Sequence, residues 1–267
     1  IILDAYNDDV LVWYENNGFE TFTKNTIVSD AGFRPHAVDL DEDGDMDIVS
    51  SDLSSDDLLW FENNGLGSFT ERTIDGNLDN GRGVSVADLD EDGDLDIVTV
   101  SYDDDDVVWY ANNGSESFTK STIDANLNGA FDVAIADIDN DGDLDIGAIA
   151  QLGDVVVWYA NNGSESFTKY TIDSNIDKPY RIKIGDVDLD GDLDILSHGY
   201  NDDDVAWYQN VDGGYILGVS LSTTAIGQEV LTISPVSNSI FDIAGNIAGT
   251  SQSYNTVALN DTRGPTN

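Results

Sequence analysis

The chain has 267 residues and a formal net charge of −43, because 53 Asp and Glu face only 10 Lys and Arg. This charge excludes a protein that binds nucleic acid by neutralising phosphates, which needs a basic surface, and it disfavours adsorption to anionic lipid. A hydrophobic content of 40% argues against a disordered chain. We therefore expect a globular protein whose negative charge is balanced by cations.

The sequence lacks some residue types and patterns, and their absence excludes several kinds of site. The chain has no cysteine, so disulfides and thiolate metal sites are excluded. No apolar run approaches the ~18 residues of a membrane-spanning helix, and we expect no membrane insertion. The sequence opens with Ile1-Ile2-Leu3-Asp4, without an initiator Met or a signal-peptide core. We therefore expect it to be part of a longer chain.

Five tryptophans recur along the chain at a nearly constant spacing of about 49 residues. An aspartate cluster precedes every Trp after the first, and the first four copies continue with Asn-Asn-Gly and then Phe-Thr. The tryptophans are Trp13, Trp60, Trp109, Trp158 and Trp207. A repeat of this length predicts one structural unit per copy, and we interpret each Trp as packing between neighbouring units.

Each copy predicts short β-strands and no helix. In the copy around Trp109, residues 83–87 alternate and run into the aspartates, and residues 97–100 leave them. Residues 107–110 follow an acidic turn, and residues 117–123 follow the Asn-Gly turn. Four strands in about 49 residues are typical of a β-propeller blade. The predicted fold is all-β with about five four-stranded blades, and the alternative is a β-sandwich.

The repeat is incomplete at both ends. Ile1 stands as far before its Trp as Ile48 does in the next copy, so the first copy lacks its innermost strand and its aspartate cluster. No repeat feature continues beyond about Tyr215. We therefore predict propeller repeats over 1–214, forming an open arc or an incomplete ring. Residues 215–267 are predicted to form a short β-sandwich-like segment.

Four nine-residue segments, here called aspartate loops I to IV, carry the predicted chemistry. Each has Asp at positions 1, 3, 5, 7 and 9 and Gly at position 6. The predicted metal ligands are Asp39, Asp41, Asp43, Asp45 and Asp47 in loop I, Asp88, Asp90, Asp92, Asp94 and Asp96 in loop II, Asp137, Asp139, Asp141, Asp143 and Asp145 in loop III, and Asp186, Asp188, Asp190, Asp192 and Asp194 in loop IV.

Alternate aspartates in a tight loop can converge their oxygens on one hard cation, and the glycine permits the sharp turn. The number of oxygens favours Ca²⁺ over Mg²⁺, so we expect about four Ca²⁺. An EF-hand is excluded because position 12 is not Glu, so the position-9 Asp must close the site. We expect side-chain ligands from positions 1, 3, 5 and 9 and a backbone carbonyl from position 7. The alternative is a set of acidic, solvated turns.

These loops, with the downstream Trp-Tyr-x-Asn-Asn-Gly, resemble the FG-GAP/VCBS repeats of integrin-α-like β-propellers. The resemblance covers Ile1 to about Gly214 and implies propeller blades with calcium bound between the first and second strands of a blade. That family commonly closes with seven blades, whereas this chain has four complete copies and a clipped first one.

The tail resembles the second half of a bacterial Ig-like adhesin domain and the linker that follows such a domain. The resemblance rests on Leu231-Thr232-Ile233-Ser234-Pro235, on residues 240–246 and 256–261, and on Asp261-Thr262-Arg263-Gly264-Pro265-Thr266. Together the two resemblances imply a piece of a large secreted or cell-surface bacterial protein.

Three functions are compatible with these features. The leading hypothesis is a non-catalytic, calcium-binding propeller that serves adhesion or recognition of an unknown protein or glycan ligand outside the cell. The alternative is a carbohydrate-binding, lectin-like propeller or an accessory module of a secreted polysaccharide-degrading enzyme. An enzyme is disfavoured, because neither His36 nor His198 repeats or has a nucleophile or base at a recognisable spacing.

Overall fold

The computed structural model describes residues 2–5, 10–16, 18–29, 33–201, 205–211, 215–221, 230–232 and 256–258. The described strands form five successive antiparallel sheets, here called blades 1 to 5, and one separate strand pair. No helix that could cross a bilayer occurs in this described part of the chain.

The blades follow one another along the chain. Blade 1 contains β1 (Ile2–Ala5), β2 (Val10–Asn16) and β3 (Phe22–Ser29). Blade 2 contains β4 (Phe33–Val38), β5 (Asp47–Asp52), β6 (Asp57–Asn63) and β7 (Phe69–Asp75). Blade 3 contains β8 (Gly81–Ala87), β9 (Asp96–Ser101), β10 (Asp106–Asn112) and β11 (Phe118–Asp124). Blade 4 contains β12 (Ala130–Ala136), β13 (Asp145–Ala150), β14 (Val155–Asn161) and β15 (Phe167–Asp173). Blade 5 contains β16 (Pro179–Gly185), β17 (Asp194–Gly199), β18 (Val205–Val211) and β19 (Tyr215–Leu221). The separate pair is β20 (Val230–Thr232) with β21 (Thr256–Ala258).

Every complete blade is a meander in which consecutive strands pair in chain order. The second strands β5, β9 and β13 are buried along their whole length, whereas the middle residues of the fourth strands β7, β11 and β15 are exposed. Each sheet therefore runs from buried inner strands to a solvent-exposed outer strand, as in a propeller blade. The predicted all-β fold of four-stranded blades is confirmed, and none of the described sheets closes into a ring.

The blades pack face to face through the same apolar positions. Blade 3, for example, presents Leu89, Val107 and Trp109 to blade 4. Equivalent clusters join blade 2 to blade 3 and blade 4 to blade 5. Trp60, Trp109 and Trp158 are all buried. For these three residues the interpretation of the Trp as packing between blades is confirmed.

The inner strands converge on a shared centre. Arg34 Nη1 of blade 2 lies 2.7 Å from Asp132 Oδ1 of blade 4. Arg34 Nη2 donates to the backbone oxygen of Tyr180 in blade 5 at 2.8 Å, and the guanidinium lies 4.4 Å from the ring centroid of Phe131. Both charges are buried, and each is paired and hydrogen-bonded, as buried charges require. Three blades therefore meet around one axis.

The two ends of the repeat differ from the middle. In the described part of the chain, blade 1 has three strands and no counterpart of β4, as expected. Blade 5 takes its fourth strand, β19, from the segment that follows residue 214. Pairing of this strand uses backbone groups and does not need the repeated side chains. Most of the Ig-like segment, namely residues 222–229, 233–255 and 259–267, lies outside the described residues.

Candidate metal centres

The aspartate loops connect the first strand to the second strand in blades 2 to 5. Because each loop joins the same two strands of its blade, all four lie at the same end of their blades. Loops III and IV also touch, since Asn140 Nδ2 of loop III donates to Asp192 Oδ1 of loop IV at 2.9 Å. The four loops therefore lie on one face of the propeller.

Two residues of every loop adopt the left-handed backbone conformation. The position-6 glycines have φ of 98°, 99°, 102° and 102°, as the predicted sharp turn requires. The position-4 residues Glu42, Glu91, Asn140 and Leu189 have φ of 59°, 60°, 58° and 63°. The sequence did not predict this second feature, because Glu and Leu seldom adopt positive φ.

The position-1 aspartates point one oxygen into the loop and leave the other without a partner. Asp39 Oδ2 accepts from the backbone N–H of Gly44 at 3.0 Å, and the equivalent bond is present in the other three loops. The second oxygen of each position-1 Asp is buried with no hydrogen-bond partner: Oδ1 of Asp39, Asp88, Asp137 and Asp186. A buried, unpartnered carboxylate oxygen is unfavourable. A cation bound in each loop would provide a partner for the unpartnered oxygen of that loop.

Other aspartates converge on the position-1 residue. In each loop three carboxylates place one oxygen each within 4.8 Å of one another. The groups are Asp39, Asp41 and Asp43 in loop I, Asp88, Asp90 and Asp96 in loop II, Asp137, Asp139 and Asp145 in loop III, and Asp186, Asp188 and Asp194 in loop IV. Loops II to IV therefore gather positions 1, 3 and 9, whereas loop I gathers positions 1, 3 and 5.

The position-9 aspartates are fully buried and fix the ends of the loops. Asp96 Oδ1 accepts from the backbone N–H of Asn112 at 2.7 Å, and Oδ2 accepts from that of Leu89 at 3.1 Å. Both bonds recur in the other three loops. Each Oδ1 keeps a second lone pair for a metal ion, whereas Asp47 Oδ2 of loop I also accepts from Trp60 Nε1 at 3.0 Å.

Burial shifts the proton affinity of these groups. It raises the pKa of Asp96 and of Asp145 to about 6, although backbone N–H groups oppose the shift. Burial raises the pKa of Asp90 and Asp139 as well, with the charge of neighbouring aspartates acting in the same direction. Both causes disfavour several charged carboxylates in one loop without a cation.

The aspartates at positions 5 and 7 have different surroundings. The position-5 carboxylate accepts from the backbone N–H of position 7, as in the 2.9 Å bond from Asp94 to Asp92. In loops I to III the position-7 carboxylate lies against the Asn-Asn-Gly turn, where, for example, a Cβ on Gly114 would lie 2.5 Å from Asp94 Oδ2. Position 7 belongs to none of the four clusters. Ligation through its backbone carbonyl stays a prediction.

One asparagine per repeat supports the loops and was predicted only as part of a turn. Asn161 Nδ2 donates to the backbone oxygen of Leu144 in its own loop and to that of Leu89 in the preceding loop. Asn210 makes the equivalent pair of bonds. The signal was present in the sequence, because Asn210 persists in the fifth copy after the rest of the turn has changed.

A groove of about 910 Å³ between blades 1 and 2 is a second candidate site. It combines the half-buried Trp13 with the apolar side chains of Met46 and Leu66 and the polar side chains of Glu15 and Asn63. The lining of the groove is more polar than apolar, and a cleft in which polar groups surround an aromatic ring can hold a small polar ligand.

Comparison with known proteins supports the fold. The sequence family described as FG-GAP-like repeat matches residues 39–99 and 88–148, and each match begins at the first Asp of a loop. Several solved β-propeller structures superpose on the chain. The fold is a repeat β-propeller. No curated protein sequence matches this chain.

Three of the similar structures illustrate the range of this fold. An Agrocybe aegerita lectin that recognises non-reducing terminal N-acetylglucosamine has 19% identity and a TM-score of 0.55, over 85% of this chain and 66% of the lectin. A virginiamycin B lyase from Staphylococcus aureus has 11% identity and a TM-score of 0.56, over 82% and 64%. A chain of a nidogen/laminin complex has 11% identity and a TM-score of 0.50, over 76% and 72%. This propeller therefore spans less than two thirds of the lectin and of the lyase, and at these identities the likeness concerns the fold alone.

Proposed function

We propose that the protein is a non-catalytic recognition module that binds one Ca²⁺ in each aspartate loop. The observation that carries the proposal is the buried, unpartnered Oδ1 of the position-1 Asp, which recurs in all four loops. Solvated acidic turns would leave this oxygen in contact with water, so its burial in all four loops is not expected of such turns. The alternative of solvated turns is therefore the weaker one.

The donor set favours calcium among the common metal ions. The loops offer carboxylate and carbonyl oxygens, and the chain has no cysteine. Hard oxygen ligands suit Ca²⁺ or Mg²⁺ rather than Zn²⁺ or Cu²⁺. The larger Ca²⁺ accepts six to eight oxygens in a flexible shell, whereas Mg²⁺ demands an octahedron and retains waters. Bound calcium would neutralise the carboxylates. The aspartates at positions 1, 3 and 9 would hold it in loops II to IV, and those at positions 1, 3 and 5 would hold it in loop I.

The proposed role is recognition of a protein or glycan ligand, at the cell surface or outside the cell. Support comes from the FG-GAP-like repeats and from the similar structures, which include a lectin and a chain of a protein complex. Affinities on the order of 10⁻⁴–10⁻³ M for calcium would suit an extracellular setting. Adhesion, as in a cell-surface module, is the form of recognition that we propose first.

Glycan binding is the second candidate, and the groove beside Trp13 favours it. The tryptophans of blades 2 to 4 are buried and cannot stack on a sugar, whereas Trp13 lines an open groove with polar neighbours. An aromatic face beside polar groups is a common arrangement for carbohydrate recognition.

A glycan array in millimolar Ca²⁺, repeated in EDTA, tests the proposal. The control variant is Tyr170→Ala, which changes an exposed aromatic residue on blade 4. If a glycan class is retained by the control but not by Trp13→Ala, glycan binding is assigned to the groove. Retention that is unchanged in Trp13→Ala would exclude the groove. No retention on the array would leave protein recognition as the role to test, by capture of extracellular proteins with and without Ca²⁺.

A further inference from the structure

One arginine of the chain lies over the repeat tryptophan of blade 2. The guanidinium of Arg72 lies 5.1 Å from the ring centroid of Trp60. It is hydrogen-bonded to Glu62 of the same blade, and its Nη1 lies 3.0 Å from Glu116 Oε2 of blade 3. A planar guanidinium stacks on aromatic faces and pairs with carboxylates. Trp60, Glu62 and Glu116 therefore form an arginine site that the chain fills with its own side chain.

Blade 1 repeats the tryptophan and the first carboxylate of this arrangement, as Trp13 and Glu15. Both line the groove between blades 1 and 2. The residue that pairs with the Trp on the neighbouring strand is arginine in blade 2 but Asn25 in blade 1. Asn25 is short and uncharged, and its Nδ2 donates to the backbone oxygen of Thr23 at 3.3 Å. Blade 1 thus keeps the two residues that receive a guanidinium and has an amide in place of the arginine.

A second exchange opens the groove from the side of blade 2. The turn residue that is Glu116 in blade 3 and Glu165 in blade 4 is Gly67 in blade 2. Gly67 keeps the left-handed conformation, with a φ of 75° against 56° in both glutamates, and a Cβ on it would lie 3.3 Å from Trp13 Cζ2. Without a side chain at this point the groove measures about 910 Å³, whereas the equivalent groove beside Trp60 measures about 190 Å³.

We propose that the groove between blades 1 and 2 binds an arginine side chain of a partner protein. The guanidinium would lie over Trp13 and pair with Glu15, as the arginine of blade 2 does at its own tryptophan and glutamate. Asp45 lines the same groove and would be the second acidic group. The inference rests on the proposed role in recognition, and it names the chemistry of the ligand.

The rest of the groove and the charge of the protein fit this ligand. Met46 and Leu66 line the groove and are 54% and 89% exposed, so they can cover the methylene stem of an arginine or its apolar neighbours. The groove is also large enough for the peptide on either side. A net charge of −43 attracts a basic ligand and raises its rate of association. A neutral glycan gains nothing from this charge, and it is the alternative occupant that the test separates.

Fluorescence anisotropy in saturating Ca²⁺ and about 150 mM salt, which screens distant charges, tests the proposal. The probe is a dye-labelled peptide with one arginine between leucines, and matched peptides carry lysine or citrulline instead. Citrulline keeps the shape of arginine without its charge. We expect the citrulline peptide to bind at least tenfold more weakly than the arginine peptide, with the lysine peptide between them. Equal binding of the arginine and citrulline peptides, or no binding of the arginine peptide at millimolar concentration, would overturn the proposal.

Two matched variants locate the peptide. Asn25→Arg supplies a guanidinium from the chain itself and should weaken binding of the arginine peptide at least tenfold, as should Glu15→Gln. Ser121→Arg makes the same substitution at the equivalent, exposed position of blade 3, so it adds the same charge. It should leave the affinity within about twofold of that of the unchanged protein. Equal affinities of the two arginine variants would contradict the proposal, because the net charge alone would then hold the peptide.

The proposed function can stand when this inference fails. A glycan class whose retention needs Trp13, combined with no binding of the arginine peptide, would reject the inference and keep the recognition role. Capture of an extracellular protein that survives both Trp13→Ala and Asn25→Arg would also reject it, and would place recognition outside the groove. Neither result bears on the metal sites.

Discussion

The aspartates of one loop have the same chemistry but different surroundings, and these surroundings assign their roles. Asp88 holds a buried oxygen with no partner, within the cluster of loop II. Asp94 of the same loop lies against the turn at Gly114 and outside the cluster. Aspartates of the same loop are therefore predicted to differ in function because their contacts differ.

We expect Asp88→Ala to abolish binding at loop II, whereas Asp94→Ala should leave it nearly unchanged. The first substitution removes a converging carboxylate, and the second keeps the backbone carbonyl by which position 7 is predicted to bind. Each removes one negative charge from the same loop, so the pair is matched. Calorimetric titration with Ca²⁺ should show three sites in Asp88→Ala and four in Asp94→Ala. An equal loss in both variants would contradict the assigned geometry.

The pKa of about 6 for Asp96 and Asp145 predicts opposite pH effects with and without metal. In the unfolded chain an Asp has a pKa near ~3.9. The folded-state pKa is higher, so the stabilisation is present below about pH 4 and is lost as the pH rises through about 6. The metal-free protein should therefore melt at a lower temperature at pH 7 than at pH 5.

Protons and calcium compete for the same oxygens, so calcium binding should weaken as the pH falls from 7 to 5. Melting curves at pH 5 and 7, in EDTA and in excess Ca²⁺, check both effects. A metal-free midpoint that rises between pH 5 and pH 7 would show that these carboxylates are not held in the way that the structure describes.

At the scale of the element, neighbouring blades are joined by a polar contact as well as by the apolar one. Tyr159 Oη of blade 4 donates to Asp124 Oδ2 of blade 3 at 2.7 Å, and Lys169 Nζ lies 2.6 Å from the same oxygen. Burial alone would raise the pKa of Asp124, but the hydrogen bonds from Lys169 and Tyr159 outweigh it and lower the pKa. Tyr110 bonds Asp75 in the same way one blade earlier.

Tyr159→Phe should destabilise the propeller by about 1.5 kcal/mol, at the low end of the range for hydrogen bonds to charged groups, because Lys169 remains bound to Asp124. Tyr170→Phe, on the same blade but exposed, should change the stability by less than about 0.5 kcal/mol. Urea unfolding of both variants in excess Ca²⁺ measures the difference. Equal stabilities of the two variants would exclude a structural role for the Tyr159 hydroxyl.

The sequence predicted those elements whose residues recur at a fixed spacing. The aspartate loops, the Trp positions and the strand-rich blades repeat, so the pattern and its physical meaning were visible together. The Tyr–Asp contact also repeats, but its partners lie 35 residues apart on facing blades, and only packing brings them together. At the boundary of blades 1 and 2 the pair is replaced by Phe61 and Val28, which pack as apolar neighbours. The replacement of the Tyr–Asp pair by Phe and Val can be interpreted only when the contact between the two positions is known.

Two further features of the structure could not be predicted from the sequence repeat, for other reasons. The left-handed conformation of Leu189 is imposed by the geometry of its loop, against the preference of the residue itself. The strand β19 carries no repeat signal, because a fourth strand at the outer edge is specified by backbone pairing. Both show where the surrounding fold overrides local sequence preference.

At the scale of the whole molecule, the net charge of −43 links metal binding to folding. Four loops on one face concentrate carboxylates that repel each other when no cation is present. A ligand that binds only the folded state stabilises it by about 1.4–2.7 kcal/mol per site at 10 to 100 times its Kd. Four equivalent sites could therefore supply much of the stability of a protein of ordinary size, about 5–15 kcal/mol.

Thermal melting at pH 7 in 10 mM Ca²⁺, in 10 mM Mg²⁺ and in EDTA tests this account most directly. We predict the highest midpoint in Ca²⁺, a smaller increase in Mg²⁺, and the lowest midpoint in EDTA. The Ca²⁺ effect should shrink stepwise as Asp39→Ala, Asp88→Ala, Asp137→Ala and Asp186→Ala are combined. Equal midpoints in Ca²⁺ and EDTA would contradict the assignment of the four aspartate loops as metal sites.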